Sequence, residues 1–572
     1  MMAPSSGHAR KDTARGGAQK YRVLLLSGNE MVRFSVENYF QDTDIAVTSA
    51  EDPQDGLKKL RKTQFDAVIT EIGGVEDQAL QFRQDVRKLN GRIPILFITP
   101  FYYWSEIKLL NRVMEDPQSY YIPENADRKF LLGKLHQVLH ASESETALEQ
   151  LRAKIEKNEF LAGELQLAML PPWVHFCDCY EFSSLYRPFS GVSGDLFEWI
   201  PLDDHRTLFI FGDVSGHGTH SALAMTAVQS FLKQIILLDM EKAKHPSLIA
   251  SEIHDFFCNN LQNIVYMSTL IAYFDFKKNY LCYQNAGYMD ITCVNAETGE
   301  IENINPENRG SLPLGMIKGT VYTEESSVEY HFTDASVFLF HSDGLIDLAK
   351  DENGEIPLDT EMCRKLSRVL VMDSQKEDKS VAIPFRAYHT LEQFGYTWPQ
   401  DDLSMVLVRK PMHRENECVF ACRVPADKKA ADEICERASA FVTGWCHDEE
   451  LSVDTELLLE EYLINVIMHG LNEYEKLNEY IAVRLCAGPD ELKLMVWDHG
   501  REWDGLMMPA TAAEEKLDRL NEQMSASGRG LPIISRIATH IGRQRFSGLN
   551  ETVFHIPLRR NGAGEKSGSA EK

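Results

Sequence analysis

No stretch of the 572-residue chain approaches the ~18–20 consecutive apolar residues needed to span a bilayer. The N-terminal MMAPSSGHARKDTARGGAQK is basic and rich in small residues but has no apolar core, which argues against a secretory signal. Positive charge is scarce: 59 Lys and Arg stand against 86 Asp and Glu, a net of −27. Such a chain is repelled by nucleic acid and anionic lipid, so neither is expected as a partner. Zinc-site spacing is missing as well. Among 11 cysteines, Cys177 and Cys179 form a C-x-C and Cys418 and Cys422 a C-x-x-x-C, and neither has a second half. Reduced thiols in a cytoplasmic protein are the simpler expectation.

What is present is ordinary globular material, 44% hydrophobic. At about 100–200 residues per domain, three or four domains fit. Residues 1–20 read as a disordered arm and 561–572 as a disordered tail. Between 21 and 140, apolar runs at 21–27, 45–49, 65–72, 93–99 and 119–123 alternate with amphipathic stretches. That alternation predicts a parallel sheet covered on both faces.

The pattern resembles a response-regulator receiver, which implies a flavodoxin-like fold. The family's acidic pair is replaced by Ser27-Gly28-Asn29, its phosphoacceptor aspartate by Glu71, and its lysine is absent from Ile122-Pro123-Glu124. Thr99 matches the switch hydroxyl. Without the acidic pair no Mg²⁺ site is evident, so a pseudo-receiver that binds partners is expected. Glu71 either imitates a phosphorylated aspartate or is a carboxylate left at a strand end.

Residues 141–171 read as a helical linker. Leu148, Leu151, Ile155 and Leu165 form a partial heptad seam, and Pro171-Pro172 ends it. The seam suits a homodimeric coiled coil or a lone helix packed on its neighbour.

Residues 172–411 hold four acidic motifs: Ser193-Gly194-Asp195, Phe211-Gly212-Asp213-Val214-Ser215-Gly216-His217-Gly218, Ser342-Asp343-Gly344 and Asp401-Asp402-Leu403-Ser404. Each aspartate borders an apolar run, so each is expected at a strand end, where a rigid scaffold aims it. Carboxylates converging on one point repel unless cations sit between them, and hard oxygen ligands select Mg²⁺ or Mn²⁺. With Asn285-Ala286-Gly287 and Leu314-Gly315, the set resembles the metal-dependent (PPM) serine/threonine phosphatases of bacterial stress response and sporulation. The resemblance implies a β-sandwich flanked by helices and two ions. Asp213 would bridge them, Val214 would lend its carbonyl, Asp343 and Asp401 would bind one ion, and Asp195 the other. Asp402 would support the ligands from behind. Tyr288 and Asp347 depart from the family's histidine and glutamate. His217 is either a proton donor or a turn residue, and Arg187 either a phosphate clamp or a surface arginine.

In residues 412–560, a helix at 455–469 places Glu461, Asn465 and His469 at i, i+4 and i+8. A strand then runs into Asp498-His499-Gly500, and Gly528-Arg529-Gly530 opens a further helix, a loop type that cradles phosphates. The trio resembles the GHKL-type ATPase sandwich, in particular the anti-sigma serine kinases. It implies ATP with Mg²⁺ on Asn465, adenine read by Asp498 beside Gly500, phosphates lined by Gly528 and Gly530, and Glu461 as general base. Glu502 replaces the second glycine of the Asp-x-Gly turn. The domain order implies a regulator that dephosphorylates a small STAS-type anti-sigma-factor antagonist and rephosphorylates it or sequesters a sigma factor. The rival reading is a scaffold that binds partners without catalysis.

Overall fold

The computed structural model describes residues 20–558 apart from 72–75, 100–114, 217, 262–263, 288–290, 306–310, 376–380, 412–417, 473–478, 503–511, 513–514 and 520–529. The chain forms two compact units, Met1–Glu156 and Lys157–Lys572.

In the first unit, β1 (Tyr21–Leu26), β2 (Ile45–Ala50), β3 (Ala67–Glu71), β4 (Ile95–Thr99) and β5 (Ser119–Pro123) build a sheet of order β2-β1-β3-β4-β5. Every pairing is parallel. Helices α1 (Glu30–Tyr39), α2 (Pro53–Lys62) and α3 (Glu76–Leu89) alternate with the strands. Val23 and Leu25 face one core and Leu24 and Leu26 the other, as expected for a strand buried on both faces. The helix expected after β4 lies outside the described residues. At the end of β3, the Ser27 hydroxyl donates to the Glu71 carboxylate at 2.5 Å.

The last receiver helix does not stop at 140. It continues as one 42-residue helix, α4 (Arg128–Met169), through the segment read as a separate linker. No proline interrupts it before Pro171. Leu148, Leu151, Ile155, Phe160, Leu161 and Leu165 are exposed along it.

The second unit opens with an antiparallel sandwich. One sheet has the order β14-β11-β10-β9-β8: β8 (Asp195–Pro201), β9 (Arg206–Val214), β10 (Met267–Asp275), β11 (Tyr280–Ala286) and β14 (Val328–His331). The other has the order β13-β12-β15-β16-β7-β6: β6 (Val174–Phe176), β7 (Glu181–Arg187), β12 (Thr292–Asn295), β13 (Ile301–Asn303), β15 (Ser336–His341) and β16 (Leu403–Arg409). Aromatic side chains fill the space between the sheets, Phe182, Phe197, Trp199, Phe209, Phe274 and Phe340 among them. Helices α5 (Thr219–Leu238) and α6 (Pro246–Asn260) cover the first sheet, and α7 (Thr360–Ser374) and α8 (Ile383–Gln393) the second. Among the described residues α5 alone is long and apolar enough to cross a membrane, and half of that stretch is buried in this core.

The rest is a mixed layer pair: β17 (Cys418–Pro425), α9 (Lys428–Cys446), α10 (Glu449–Asn465), β18 (Tyr480–Ala487), β19 (Glu491–Asp498), α11 (Gly530–Ile537), β20 (His540–Phe546) and β21 (Leu549–Pro557), with strand order β17-β18-β19-β21-β20. Asp427 and Asp448 cap α9 and α10, their carboxylates accepting from Ala430 N and from Glu450 N and Leu451 N. Leu494 and Val496 of β19 point to these helices. Their neighbours Met495 and Trp497 point the other way, into a core shared with α7, α8 and β16. The segments on either side of 411/412 therefore keep cores of their own and also share this one.

Candidate functional site: an aspartate cluster and a second, glycine-lined site

The antiparallel register of β8 and β9 sets Asp195 directly opposite Asp213. Like charges facing each other across a strand pair destabilise a sheet. Asp195 is 1% exposed, and neither carboxylate oxygen has a hydrogen-bond partner. Burial, then the Asp213 charge, pushes its pKa well above the carboxylate range. Burial and the charges of Asp343, Asp401 and Asp402 raise Asp213 to about 7. Asp343 is raised by burial, then by Asp401 and Asp347.

The backbone around these groups is tightly held. Ser342 Oγ donates to Asp402 O at 3.0 Å and accepts from Ser404 N at 2.9 Å, tying the end of β15 to the start of β16. Gly344 packs so close to that segment that a Cβ would lie 2.1 Å from Asp402 O. Asp402 accepts from Phe189 N at 2.7 Å and Gly194 N at 2.8 Å, one bond per carboxylate oxygen, so it braces the loop that carries Asp195.

The same loop has a second brace that the motifs gave no hint of. Gln166, near the end of α4, donates to Ser193 O at 2.7 Å and accepts from Ser193 N at 3.0 Å. A glutamine inside a helical seam has no distinguishing sequence signal; only its position shows the role.

An orphaned, buried carboxylate facing a second one is the donor set of a hard divalent cation. No three acidic, histidine or cysteine side chains among the described residues stand at mutual chelating distance. Their charges nonetheless interact, a spacing that ions retaining water ligands can bridge, as Mg²⁺ commonly does. His217 and Tyr288 lie outside the described residues. Arg187 does not turn to the cluster: its Nη2 donates to Ser547 O, in the β20–β21 turn.

At the second site, Asp498 ends β19 and is fully buried. Its Oδ1 accepts from Gly500 N and Asn550 Nδ2, each at 2.8 Å, and its Oδ2 from Tyr462 OH at 2.9 Å. Asn465 Nδ2 is buried without a partner, which suits a phosphate oxygen, and the amide's carbonyl suits Mg²⁺. A Cβ on Gly530 would lie 2.5 Å from Glu461 Oε2 and 3.2 Å from Asn465 Nδ2, so the glycine permits this approach. Burial, then the Glu460 charge, raises the Glu461 carboxyl. The stripe expected through His469 meets a change of helix type. After Asn465 the helix widens into a π turn, Val466–Gly470, whose longer period breaks the i+4 spacing. Glu502 is exposed, and Gly528 lies outside the described residues.

Residues 203–411 match the family model of stage II sporulation protein E, and residues 424–555 that of the histidine kinase-like ATPase domain. The phosphoserine phosphatase RsbP of Bacillus subtilis is 28% identical over 198 residues, 35% of this chain; the chain spans only 45% of that relative. Among solved structures, the RsbU and RsbW domains of Rv1364c from Mycobacterium tuberculosis align at 16% identity over 66% of this chain and 94% of that one, TM-score 0.36. The SiaA-PP2C domain of Pseudomonas aeruginosa aligns at 18% over 45% and 98%, TM-score 0.37. Likenesses this distant carry no functional argument. The chain thus carries a segment similar to stage II sporulation protein E followed by one similar to the histidine kinase-like ATPase domain.

Proposed function

We propose that this chain is a cytoplasmic partner-switching regulator whose central domain hydrolyses a phosphoserine or phosphothreonine on a small STAS-type anti-sigma-factor antagonist. The observation that carries the reading is the buried Asp195, unpartnered at both carboxylate oxygens and facing Asp213 across the strand pair, which calls for cations. Asp195, Asp213, the Val214 carbonyl, Asp343 and Asp401 would hold two Mn²⁺ or Mg²⁺ ions. When bound, such ions lower the pKa of a shared water and neutralise charge developing on the phosphoryl group. Asp402 and Gln166 fix the Asp195 loop from behind, so the ligands need little rearrangement on binding. Water adds to phosphorus, the P–O bond to the side chain breaks, and the serine or threonine oxygen leaves as the hydroxyl.

The C-terminal domain would bind ATP and Mg²⁺ through Asn465, Asp498, Gly500, Gly528 and Gly530. Glu461 would take the proton of the antagonist's hydroxyl as the γ-phosphoryl group transfers to it. A second reading draws on Asp498, whose oxygens are already served by Tyr462, Asn550 and Gly500. On that reading the domain binds a partner, such as a sigma factor, without phosphorylating it. The receiver-like unit would set the balance between the activities. The exposed apolar positions of α4 suit a homodimer.

The test is Mn²⁺-dependent hydrolysis of p-nitrophenyl phosphate by the full chain beside Asp213→Asn and Asp343→Asn. Wild-type turnover that chelator abolishes, with a loss of several orders of magnitude in each variant, supports the phosphatase. Silence of a well-folded wild type with both Mn²⁺ and Mg²⁺ overturns it. Phosphorylation of an antagonist that stops on Asn465→Ala supports the kinase; its persistence refutes the ATP-site assignment.

A further inference from the structure

The two sites are joined by contacts that neither needs for its own chemistry. Asn550 lies at the hub. Its Nδ2 donates to Asp498 Oδ1 and to Gly500 O, each at 2.8 Å, and its Oδ1 accepts from Arg545 Nη1 at 2.6 Å. Arg545 also donates to Gly500 O at 2.8 Å. The β20–β21 hairpin is thereby tied to the Asp498 turn. Its tip, with Ser547 and Gly548 both at positive φ, reaches the phosphatase domain. There the Ser547 carbonyl accepts from Arg187, and the Ser547 hydroxyl donates to Glu392 at 2.5 Å. Arg187 ends β7 in register with Leu403, the residue after Asp402. Asp402 in turn braces the Asp195 loop through Phe189 N and Gly194 N.

A second line of contact runs beside the first. His499, next to Asp498, meets the Trp173 ring edge-on at 5.0 Å. Trp173 Nε1 donates to Tyr480 O at 2.7 Å, and Trp173 O accepts from Ser184 N of β7 at 2.7 Å. The junction is not packed solid. A cavity of about 470 Å³ opens between Trp173, Arg187, Tyr480, His499, Arg545 and Gly548, leaving the hairpin tip room to move.

We propose that the ATPase-like domain is a nucleotide sensor for the phosphatase of its own chain, occupancy at Asp498 undocking the β20–β21 tip from Arg187 and slowing hydrolysis. This rests on the two-site reading above. Asp498 is fully buried and its Oδ1 already accepts from both Gly500 N and Asn550 Nδ2, so an adenine amino group donating to Oδ1 competes with Asn550. Displacing Asn550 releases the hairpin from the Asp498 turn. The docked and undocked tip are the two arrangements that coupling between sites requires.

The experiment uses the full chain with ADP as probe and saturating free Mn²⁺. ADP binding is measured by calorimetry and p-nitrophenyl phosphate hydrolysis separately. Saturating ADP is expected to lower kcat/KM by about fivefold or more, the range of ordinary allosteric coupling. Hydrogen exchange at the amides of Phe189 and Gly194 is expected to speed up with it. Arg187→Ala should keep ADP binding, lower hydrolysis without nucleotide toward the ADP-bound level and lose most of the response. Glu392→Gln, which weakens the other anchor of the tip, should reduce the response partway. Unchanged hydrolysis and exchange in wild-type protein that demonstrably binds ADP overturns the coupling alone, as does a full response in both variants. Absence of ADP binding or of basal hydrolysis overturns the site reading, and the sensor with it.

Discussion

Asp195 shows how a residue that harms the fold can define the site. A buried carboxylate without donors costs about 1–3 kcal/mol or more in an apolar setting. In chelator-treated protein, Asp195→Asn is therefore expected to raise the melting temperature, and with Mn²⁺ present the order should reverse; calorimetry under both conditions checks it. His175 illustrates the pH side. Burial, then the Arg423 charge, holds its pKa down to about 4. The unfolded chain thus binds more protons than the folded one between about 6.5 and 4. The contribution to stability is complete above the unfolded value and is lost as pH falls through that window. Melting across pH 7 to 4 should show a shallower decline in His175→Gln than in wild type. Neither residue's environment was visible in the sequence. The motif singled out Asp195, but its burial without a hydrogen-bond partner follows from its position at a strand end.

At the scale of elements, the aspartates are aimed by strand ends and braced by turns. The four motifs were legible because each sits where an apolar run meets a glycine or a second acidic residue. Gln166 was not, since a helix surface offers many glutamines and only packing selects one. Its pair of bonds to Ser193 places the end of α4 in direct control of the Asp195 loop. Gln166→Leu should raise the Mn²⁺ concentration for half-maximal activity by about 10–100-fold, the usual cost of losing a group behind a metal ligand. A metal titration of p-nitrophenyl phosphate hydrolysis measures this, and an unchanged midpoint would refute the bracing role. The expected helix through His469 changes period for a local reason: after Asn465 it continues as a π turn, off the 3.6-residue period on which the stripe was counted.

Across the whole molecule, the sandwich that carries Asp195 and the ATPase-like layer pair each have a core of their own and share a further one. Trp497 is fully buried within it, and its indole N–H donates to Glu551 at 3.0 Å. A buried ion cluster seals the same face: Glu181 of β7 accepts from Arg409 of its own sheet and from Arg484 of β18. Trp497→Ala should destabilise by about 3–5 kcal/mol. Because the core is shared, both domains should lose stability together in one calorimetric transition; a shift confined to one of two resolved transitions would refute the shared core. For the same reason residues 172–411 alone would lose Ala482, Met495, Trp497 and Leu549 from this core.

The sequence by itself determined the order of three motif-bearing segments and the alternation of the receiver-like strands, and it nominated the aspartates and glycines of the two candidate sites. These depend on local composition and on periods of two and 3.6 residues, which the chain displays directly. Tertiary structure decided the rest: that Asp195 faces Asp213 without donors, that Gln166 holds their loop, that Arg187 turns to Ser547, and that the last two domains share a core. Each joins residues far apart in the chain, where register and packing, not local pattern, choose the neighbour.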